Sequence, residues 1–254
     1  MNIVCIGSGN VATHLAIAFK AMGAEIIQVW SRDSRNAEIL AALTKAKPVL
    51  NWEELDRSAD LYIVAVKDDA IPAVASQLNG VKGIVVHTSG ATAMTALYGA
   101  GSGYGVLYPL QTFSKTSSVN LSNVPFCIEA DRPETLEKIS AIAHLLSQQV
   151  DKVSSEQRKI LHLAAVFACN FSNHLYHLSN QLLEQHQLKF DLLKPLIMQT
   201  AQKIQHALPS EVQTGPAVRD DQETMKKHLE LLQGSPELQR IYEMLSDSIK
   251  KTHL

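Results

Sequence analysis

The sequence predicts a doubly wound, mostly parallel α/β sheet followed by an all-α domain. Three observations carry that prediction. Residues 3–32 run from a short apolar segment through the turn Gly7-Ser8-Gly9 into a helical pattern closed by Gly23, then into a second β-rich segment ending at Ser31-Arg32. Short apolar runs and helical patterns then alternate as far as about residue 153, which implies parallel strands with crossover helices. From Ser155 to His186 there is neither Gly nor Pro, and the period is helical. These changes divide the chain into 1–153, an α/β domain, and 154–254, a helical domain for substrate binding and dimerisation.

Taken in order, the runs at 3–6, 25–30, 61–66, 83–87, 104–107 and 126–129 read as strands, most of them continuously apolar as in a sheet buried on both faces. Shorter strands are expected at 48–50 and 149–153. Helices are expected at 35–43 behind Ser34 or Asp33 as a cap, from about Asp68 to Leu78, at 91–97, and at 133–148, opened by Pro133. After the long helix at 155–186, further helices are expected at 191–208, 221–232 and 236–252. The breaks between them are Leu208-Pro209, Thr214-Gly215-Pro216 and Gly234-Ser235-Pro236.

The opening strand–turn–helix–strand unit is the Rossmann arrangement that holds a dinucleotide. Gly7 lets the chain leave the strand sharply, Gly9 leaves room for a pyrophosphate, and Ala12 is small enough for close helix–strand packing. Phosphates would sit over Gly7, Ser8, Gly9, Asn10 and Val11, on the positive end of the helix. The end of the second strand selects the cofactor. An acidic residue there suits the ribose of NAD and repels the 2′-phosphate of NADP. Ser31 and Arg32 stand there instead, with Arg35 just beyond, and a hydroxyl with a guanidinium suits a phosphate. NADP is the expected cofactor.

Ligands of such sheets bind outside the C-terminal strand ends. Those ends add Val66 and Lys67, His87 and Ser89 as cofactor contacts, and Tyr108 and Gln111 as substrate contacts. At about 100° per residue, Lys159, His162, Val166, Asn170, Asn173 and His177 share one face of the long helix, with Leu161, Ala164, Phe167, Ala168, Phe171 and Leu175 opposite. A solvated face normally carries Lys and Glu. This one carries His and Asn, which demand specific partners. It fits either a catalytic stripe, with His162, Asn170 and Lys159 as its chemistry, or a helix–helix or subunit interface. Arg219 either binds an anionic substrate group or pairs with Asp220 and Asp221.

Composition narrows the function. The chain is 254 residues long, 46% hydrophobic and 19% charged, with a net charge of −2. No basic excess points to nucleic acid or to a membrane surface. No apolar run is long enough for a membrane span, and no secretory leader is visible, so a cytoplasmic protein is expected. Cys5, Cys127 and Cys169 lie far apart in apolar runs and read as buried thiols. His174 and His177 lack a third ligand at metal spacing, so no metal site is expected.

With these residues assembled, the chain resembles a bacterial family of NADP oxidoreductases. That family joins a Rossmann-like domain to a helical C-terminal domain of unknown function, within the superfamily of 6-phosphogluconate dehydrogenase and pyrroline-5-carboxylate reductase. The stretches that carry the resemblance are GSGNVATHLA at 7–16, HTSG at 87–90, YPLQTF at 108–113, HLAAVFACN at 162–170 and TGPAVR at 214–219. The resemblance implies a homodimer formed through the helical domain, which closes over the nicotinamide end. Related hydroxyacid dehydrogenases use a helix lysine near an asparagine, and Lys159 and Asn170 echo them at a different spacing. Prephenate dehydrogenases have His-Pro where this chain has Tyr108-Pro109, which argues against the same chemistry. The expected function is NADP(H)-dependent oxidation or reduction of a small polar substrate (a carbonyl, imine or hydroxy acid) at the cleft between the domains. The alternatives are a non-catalytic NADP-binding sensor or scaffold, and a reductase using a second carrier such as a deazaflavin.

Overall fold

The computed structural model of the chain describes residues 1–114, 117 and 119–253. Eight strands form one sheet in the order β3-β2-β1-β4-β5-β6-β7-β8. They are β1 (Asn2–Ile6), β2 (Glu25–Trp30), β3 (Lys47–Val49), β4 (Leu61–Val64), β5 (Ile84–His87), β6 (Gly103–Pro109), β7 (Phe126–Ala130) and β8 (Val150–Lys152). All neighbours pair in parallel except β6 and β7, which run antiparallel with Leu107 opposite Ile128. The strand order reverses direction between β1 and β4, so their C-terminal ends open a crevice.

Burial explains the layers. Every residue of β4 and β5 is buried, as continuous apolar runs require when helices cover both faces. On one face, Leu15, Ala16 and Phe19 of α1 (Asn10–Ala21), Leu40 of α2 (Ser34–Thr44) and Ile139 and Ala143 of α4 (Pro133–His144) pack on Ile3, Cys5, Ile63 and Val86. On the other, Ile71, Val74 and Ala75 of α3 (Ile71–Gln77) pack with Leu97 on Val4, Ile6, Tyr62 and Val85.

Several expected boundaries move, each for a local reason. Asp33, not Ser34, caps α2, its carboxylate accepting from the Asn36 N–H at 3.2 Å. The helix expected at 91–97 is only a 3₁₀ turn, Met94–Leu97, because Ser89 Oγ accepts from the N–H groups of Ala91 and Thr92 at 3.1 and 2.9 Å and holds a tight turn. α4 stops at His144, and Ser147 Oγ then donates to the Val124 carbonyl at 2.7 Å. Cys5 and Cys127 are buried but Cys169 is exposed, a correction to the reading of three buried thiols.

The long helix is not uniform. α5 (Ser155–Ala165) passes into a π-helical turn, Val166–Phe171, before α6 (Ser172–Gln185). Bonds of the i→i+5 type change the angular repeat, so the polar stripe expected from a constant 100° does not hold beyond Val166. The chain divides into two compact units, Met1–Asn170 and Phe171–Leu254. α5 therefore clusters with the sheet, although the change of sequence pattern comes earlier, at 153/154. The second unit contains α6, α7 (Lys194–Lys203), α8 (Gln222–Leu231) and α9 (Pro236–His253). No described helix is long and apolar enough to cross a membrane.

Arg158 explains why α5 belongs to the first unit. It is fully buried, and its guanidinium pairs with Glu129 of β7 at 2.7 Å. It also donates to the carbonyls of Ser89 and Thr92 at 3.2 and 2.6 Å and to Ser155 Oγ at 3.2 Å. Ser155 Oγ in turn donates to Glu129 at 2.7 Å. A capping box of Ser154 and Gln157 starts the helix. Arg158→Ala leaves Glu129 without its counter-charge and two carbonyls without their donor, so it should lower stability by about 3–5 kcal/mol, read as the shift of a urea unfolding midpoint. Glu129→Gln, which keeps a hydrogen-bonding oxygen, should lower it less.

His87 ends β5 and is completely buried. Its Nδ1 accepts from the Ser89 N–H at 3.2 Å, and its Nε2 has no hydrogen-bond partner among the described residues. Burial first, then the nearby Arg158 charge, push its pKa down to about 4. The folded protein thus holds His87 neutral where an unfolded chain binds a proton, below about pH 6.5. Its contribution to stability is fully present above about pH 6.5 and is lost as pH falls towards 4, a loss of order 3 kcal/mol. In His87→Gln, urea unfolding measured between pH 7 and 4 should lose less stability than in the wild type.

Candidate functional site

A cavity of about 830 Å³ lies over the C-terminal strand ends of the first unit. Its wall runs from Trp30, Ser31 and Arg32 past the Gly7–Val11 turn and Val66–Asp69 to Thr88–Gly90, Tyr108, Pro109, Gln111 and His162. Strand order dictates this sequence of residues, since β2, β1, β4, β5 and β6 are successive neighbours.

The middle of the wall has room for an anion. Gly7 has φ +112°, and a Cβ there would lie 2.1 Å from the Ala65 carbonyl oxygen, so only glycine allows β1 to turn against β4. A Cβ at Gly9 would meet nothing within 4 Å; the space above that residue is open. Gly9 is also the N-cap of α1 and has no side chain to cap it, whereas α2, α5 and α8 are capped by Asp33, Ser154 and Asp221. The first N–H groups of α1 thus lack a side-chain cap and suit phosphate oxygens. Asn10 borders the cavity, but its side-chain amide donates to the Phe113 carbonyl at 2.7 Å, while His14 Nε2 lies 2.9 Å from the Ser114 carbonyl. The segment after β6 is tied to α1 by these bonds.

At the β2 end, Ser8 Oγ donates to Ser31 Oγ at 2.8 Å, joining the turn to the strand end. Arg32 is exposed on the cavity wall. Asp33 also borders it, with its carboxylate taken by the backbone and side-chain N–H groups of Asn36 at 3.2 and 2.9 Å. Trp30 stacks on Trp52 at 4.0 Å and donates to the Leu50 carbonyl at 3.2 Å. Arg35 is exposed on α2 and does not border the cavity; Val66 and Lys67 do.

At the opposite end Tyr108 and His162 meet. The Tyr108 hydroxyl lies 3.1 Å from His162 Nδ1, with the rings edge to face. A Cβ on Gly90 would fall 2.6 Å from that nitrogen and 2.9 Å from Tyr108 Cζ, so the pair fits only over a glycine. Burial pushes the Tyr108 hydroxyl up to about 12, with Cys127 adding to the rise and Arg158 opposing it. The phenol therefore keeps its proton through the physiological range.

Among the other expected site residues, Ser89 borders the cavity but spends its hydroxyl on the 89–92 turn, donating to Thr92 Oγ1 at 3.0 Å. His87 lies behind the wall, not in it. Gln111 borders the cavity and its Oε1 accepts from the Thr112 N–H at 2.8 Å. Lys159 and Asn170 are exposed and outside the cavity wall. Arg219 is exposed in a 3₁₀ turn of the second unit. Of its expected partners, Asp220 pairs with Lys250 at 2.8 Å, and Asp221 accepts from the Thr224 N–H as the cap of α8 while the Arg219 charge helps to lower its pKa. No group of three or more potential metal ligands occurs among the described residues.

Sequence reasoning missed Arg158 and Gly90. Arg158 follows Ser155 and precedes His162 by single helical turns, so a helical wheel centred on His162 would have found it. No sequence pattern marks the packing role of Gly90.

Two family models match the chain in tandem: "NADP oxidoreductase coenzyme F420-dependent" over residues 2–89, and "Domain of unknown function (DUF2520)" over 124–249. No curated protein matches it in sequence. Among solved structures, a Bacteroides fragilis protein assigned as an NADP oxidoreductase is 43% identical over 98% of each chain, with a TM-score of 0.93. An imine reductase from Myxococcus stipitatus, solved with NADP+, is 17% identical, with 99% of this chain and 92% of that one covered and a TM-score of 0.64. A 1-pyrroline-5-carboxylate reductase from Streptococcus pyogenes is 12% identical, with 99% and 98% covered and a TM-score of 0.66. These last two share its fold. The tandem of models and the close Bacteroides relative make this chain a member of the NADP oxidoreductase family that joins a Rossmann-like N-terminal domain to a C-terminal DUF2520 domain.

Proposed function

We propose that this protein reduces a small substrate with a carbon–nitrogen or carbon–oxygen double bond, using NADPH held along the strand-end cavity. One observation carries the reading. A single cavity links a cationic, hydroxyl-bearing end at Ser31-Arg32 to a proton-handling end at Tyr108 and His162, with an uncapped helix between them. Bound NADPH would supply the hydride. Ser31 and Arg32 hold the 2′-phosphate, and the Asn36 bonds to Asp33 offset its charge beside them. The N–H groups at the start of α1 hold the pyrophosphate, with Ser8 and Val66 beside it. His162 serves the proton transfer, and Gln111 is the candidate contact for a polar part of the substrate. Carbon–nitrogen substrates are favoured because fold relatives include imine and pyrroline-5-carboxylate reductases.

The description of the model over residues 2–89 favours a second reading, in which a deazaflavin carrier is the hydride partner of NADPH. NADPH oxidation that requires added deazaflavin and ignores imines would select it.

The working form is a homodimer through the helical unit. Only Ala217 and Met225 are buried among that unit's described hydrophobic side chains, while Leu192, Leu196, Met198 and Met244 are each more than half exposed. Ile160 of α5 is 68% exposed and Phe167 of the π-helical turn 63%. Apolar surface on this scale marks an interface. Sedimentation at micromolar concentration should give twice the chain mass.

The cofactor assignment has a direct test. NADPH should quench the fluorescence of the two tryptophans, because Trp30 borders the cavity. Arg32→Ala should weaken NADPH binding about 10–100-fold, as expected for loss of a charge-assisted hydrogen bond, and leave NADH binding nearly unchanged. Equal weakening of both would remove Arg32 from 2′-phosphate recognition.

A further inference from the structure

We propose that the Tyr108 hydroxyl, held by His162 Nδ1–H over Gly90, is the group that delivers the proton to the reduced substrate. This rests on the reading of the cavity as a reductase site, and it moves the proton-donating step from the imidazole to the phenol.

Four observations support it. Tyr108 and His162 both border the cavity and lie 3.1 Å apart through Oη and Nδ1. Tyr108 ends β6, next to the end of β5, at the opposite end of the cavity from Arg32; this is the nicotinamide end of a dinucleotide held across the strand ends. Gly90 beneath the pair has no room for a side chain, so the imidazole is fixed in position as well as bonded. Finally, the pair is braced from behind. Arg158, one turn before His162, grips the Ser89 and Thr92 carbonyls on either side of Gly90.

An imidazole nitrogen facing a phenol either accepts its proton or donates to its oxygen. If Nδ1 carries the hydrogen, it donates to Oη and leaves the phenol proton directed into the cavity. In the reaction the substrate carbon gains a hydride from NADPH, which becomes NADP+, and the substrate nitrogen or oxygen gains the proton from Oη. The O–H bond breaks, and the Nδ1–H bond stabilises the phenolate until solvent reprotonates it. The charged and titratable groups around Tyr108 are Cys127 on β7, Arg158 on α5 and Asp68 after β4. Protonation of His162 leaves Nδ1–H in place, so the donor geometry does not depend on the charge of the imidazole.

The test has one arm that needs no turnover. Nitrogen-15 NMR of the imidazoles, with His162 assigned by its absence in His162→Asn, should find the Nδ1–H tautomer in the wild type and its loss in Tyr108→Phe. An Nε2–H tautomer in the wild type overturns the proposal whether or not the protein is active. The second arm uses NADPH with a cyclic imine, 2-methyl-1-pyrroline, and with an aldehyde. Tyr108→Phe should lower kcat about 10²–10⁴-fold, the usual contribution of a positioned acid, with NADPH affinity unchanged. His162→Ala should lose less than Tyr108→Phe. His162→Asn, which keeps an N–H near Nδ1, should recover part of that loss, and Gly90→Ala should match His162→Ala. Wild-type kcat should be flat across pH 6–8. A pH-dependent kcat across that range, with Tyr108→Phe within threefold of wild type, makes His162 the donor and overturns the proposal. Absence of any NADPH-dependent reduction by the wild type overturns the proposed function instead, and the tautomer still decides the geometry of the pair.

Discussion

The buried ion pair of Arg158 with Glu129 is the contact on which the site depends. A guanidinium out of water is tolerable only when its donors are matched. Here they are shared among a carboxylate, two carbonyls and a hydroxyl. Those partners come from three places: β7, the turn after β5, and the first turn of α5 itself. The residue thereby joins a sheet strand, a wall of the cavity and the helix that carries His162. Replacing the network with apolar groups of the same size need not harm stability, but it would remove the directional bonds that set the position of that helix against the turn.

The two ends of the cavity are built differently. The Ser31-Arg32 end is a strand terminus followed by a helix cap, with Arg32 exposed to meet a ligand charge. The Tyr108–His162 end is packed: Tyr108 lies among Val106, Cys127 and Leu161, and its hydroxyl already has a partner. A binding end benefits from exposed cations that attract and adapt. A chemical end benefits from groups whose positions are settled before substrate arrives. The contrast in packing thus parallels the division of labour proposed for the two ends.

Much of the fold was legible because its signals are local. Continuous apolar runs, the Gly7–Gly9 turn and the missing acid at Ser31-Arg32 each depend on residues close together in sequence. The strand-end rule then located most of the cavity wall, Tyr108 and Gln111 included. The long helix was harder. A constant 100° repeat singled out His162, which borders the cavity, but it carried the same face on to Asn170 through a stretch that is π-helical, and it set Leu161 opposite His162 although Leu161 packs against the sheet cluster. His87 failed differently. Its place at a strand end is right, yet β5 is buried on both faces, and its ring lies behind the cavity wall.

Lys159 and Arg158 show how small the angular margin is. One residue apart on α5, one is exposed and the other completely buried. The sequence offers two cations next to each other, and chemistry by analogy favours the lysine. Packing selects the arginine, whose five-donor fork serves a carboxylate, two carbonyls and a hydroxyl, one acceptor more than the three donors of an ammonium can meet. Once the arginine faces inward, the helical repeat brings His162, four residues on, to nearly the same azimuth and directs it at Tyr108. The orientation of the His162 imidazole is therefore a consequence of where a neighbouring charge is buried.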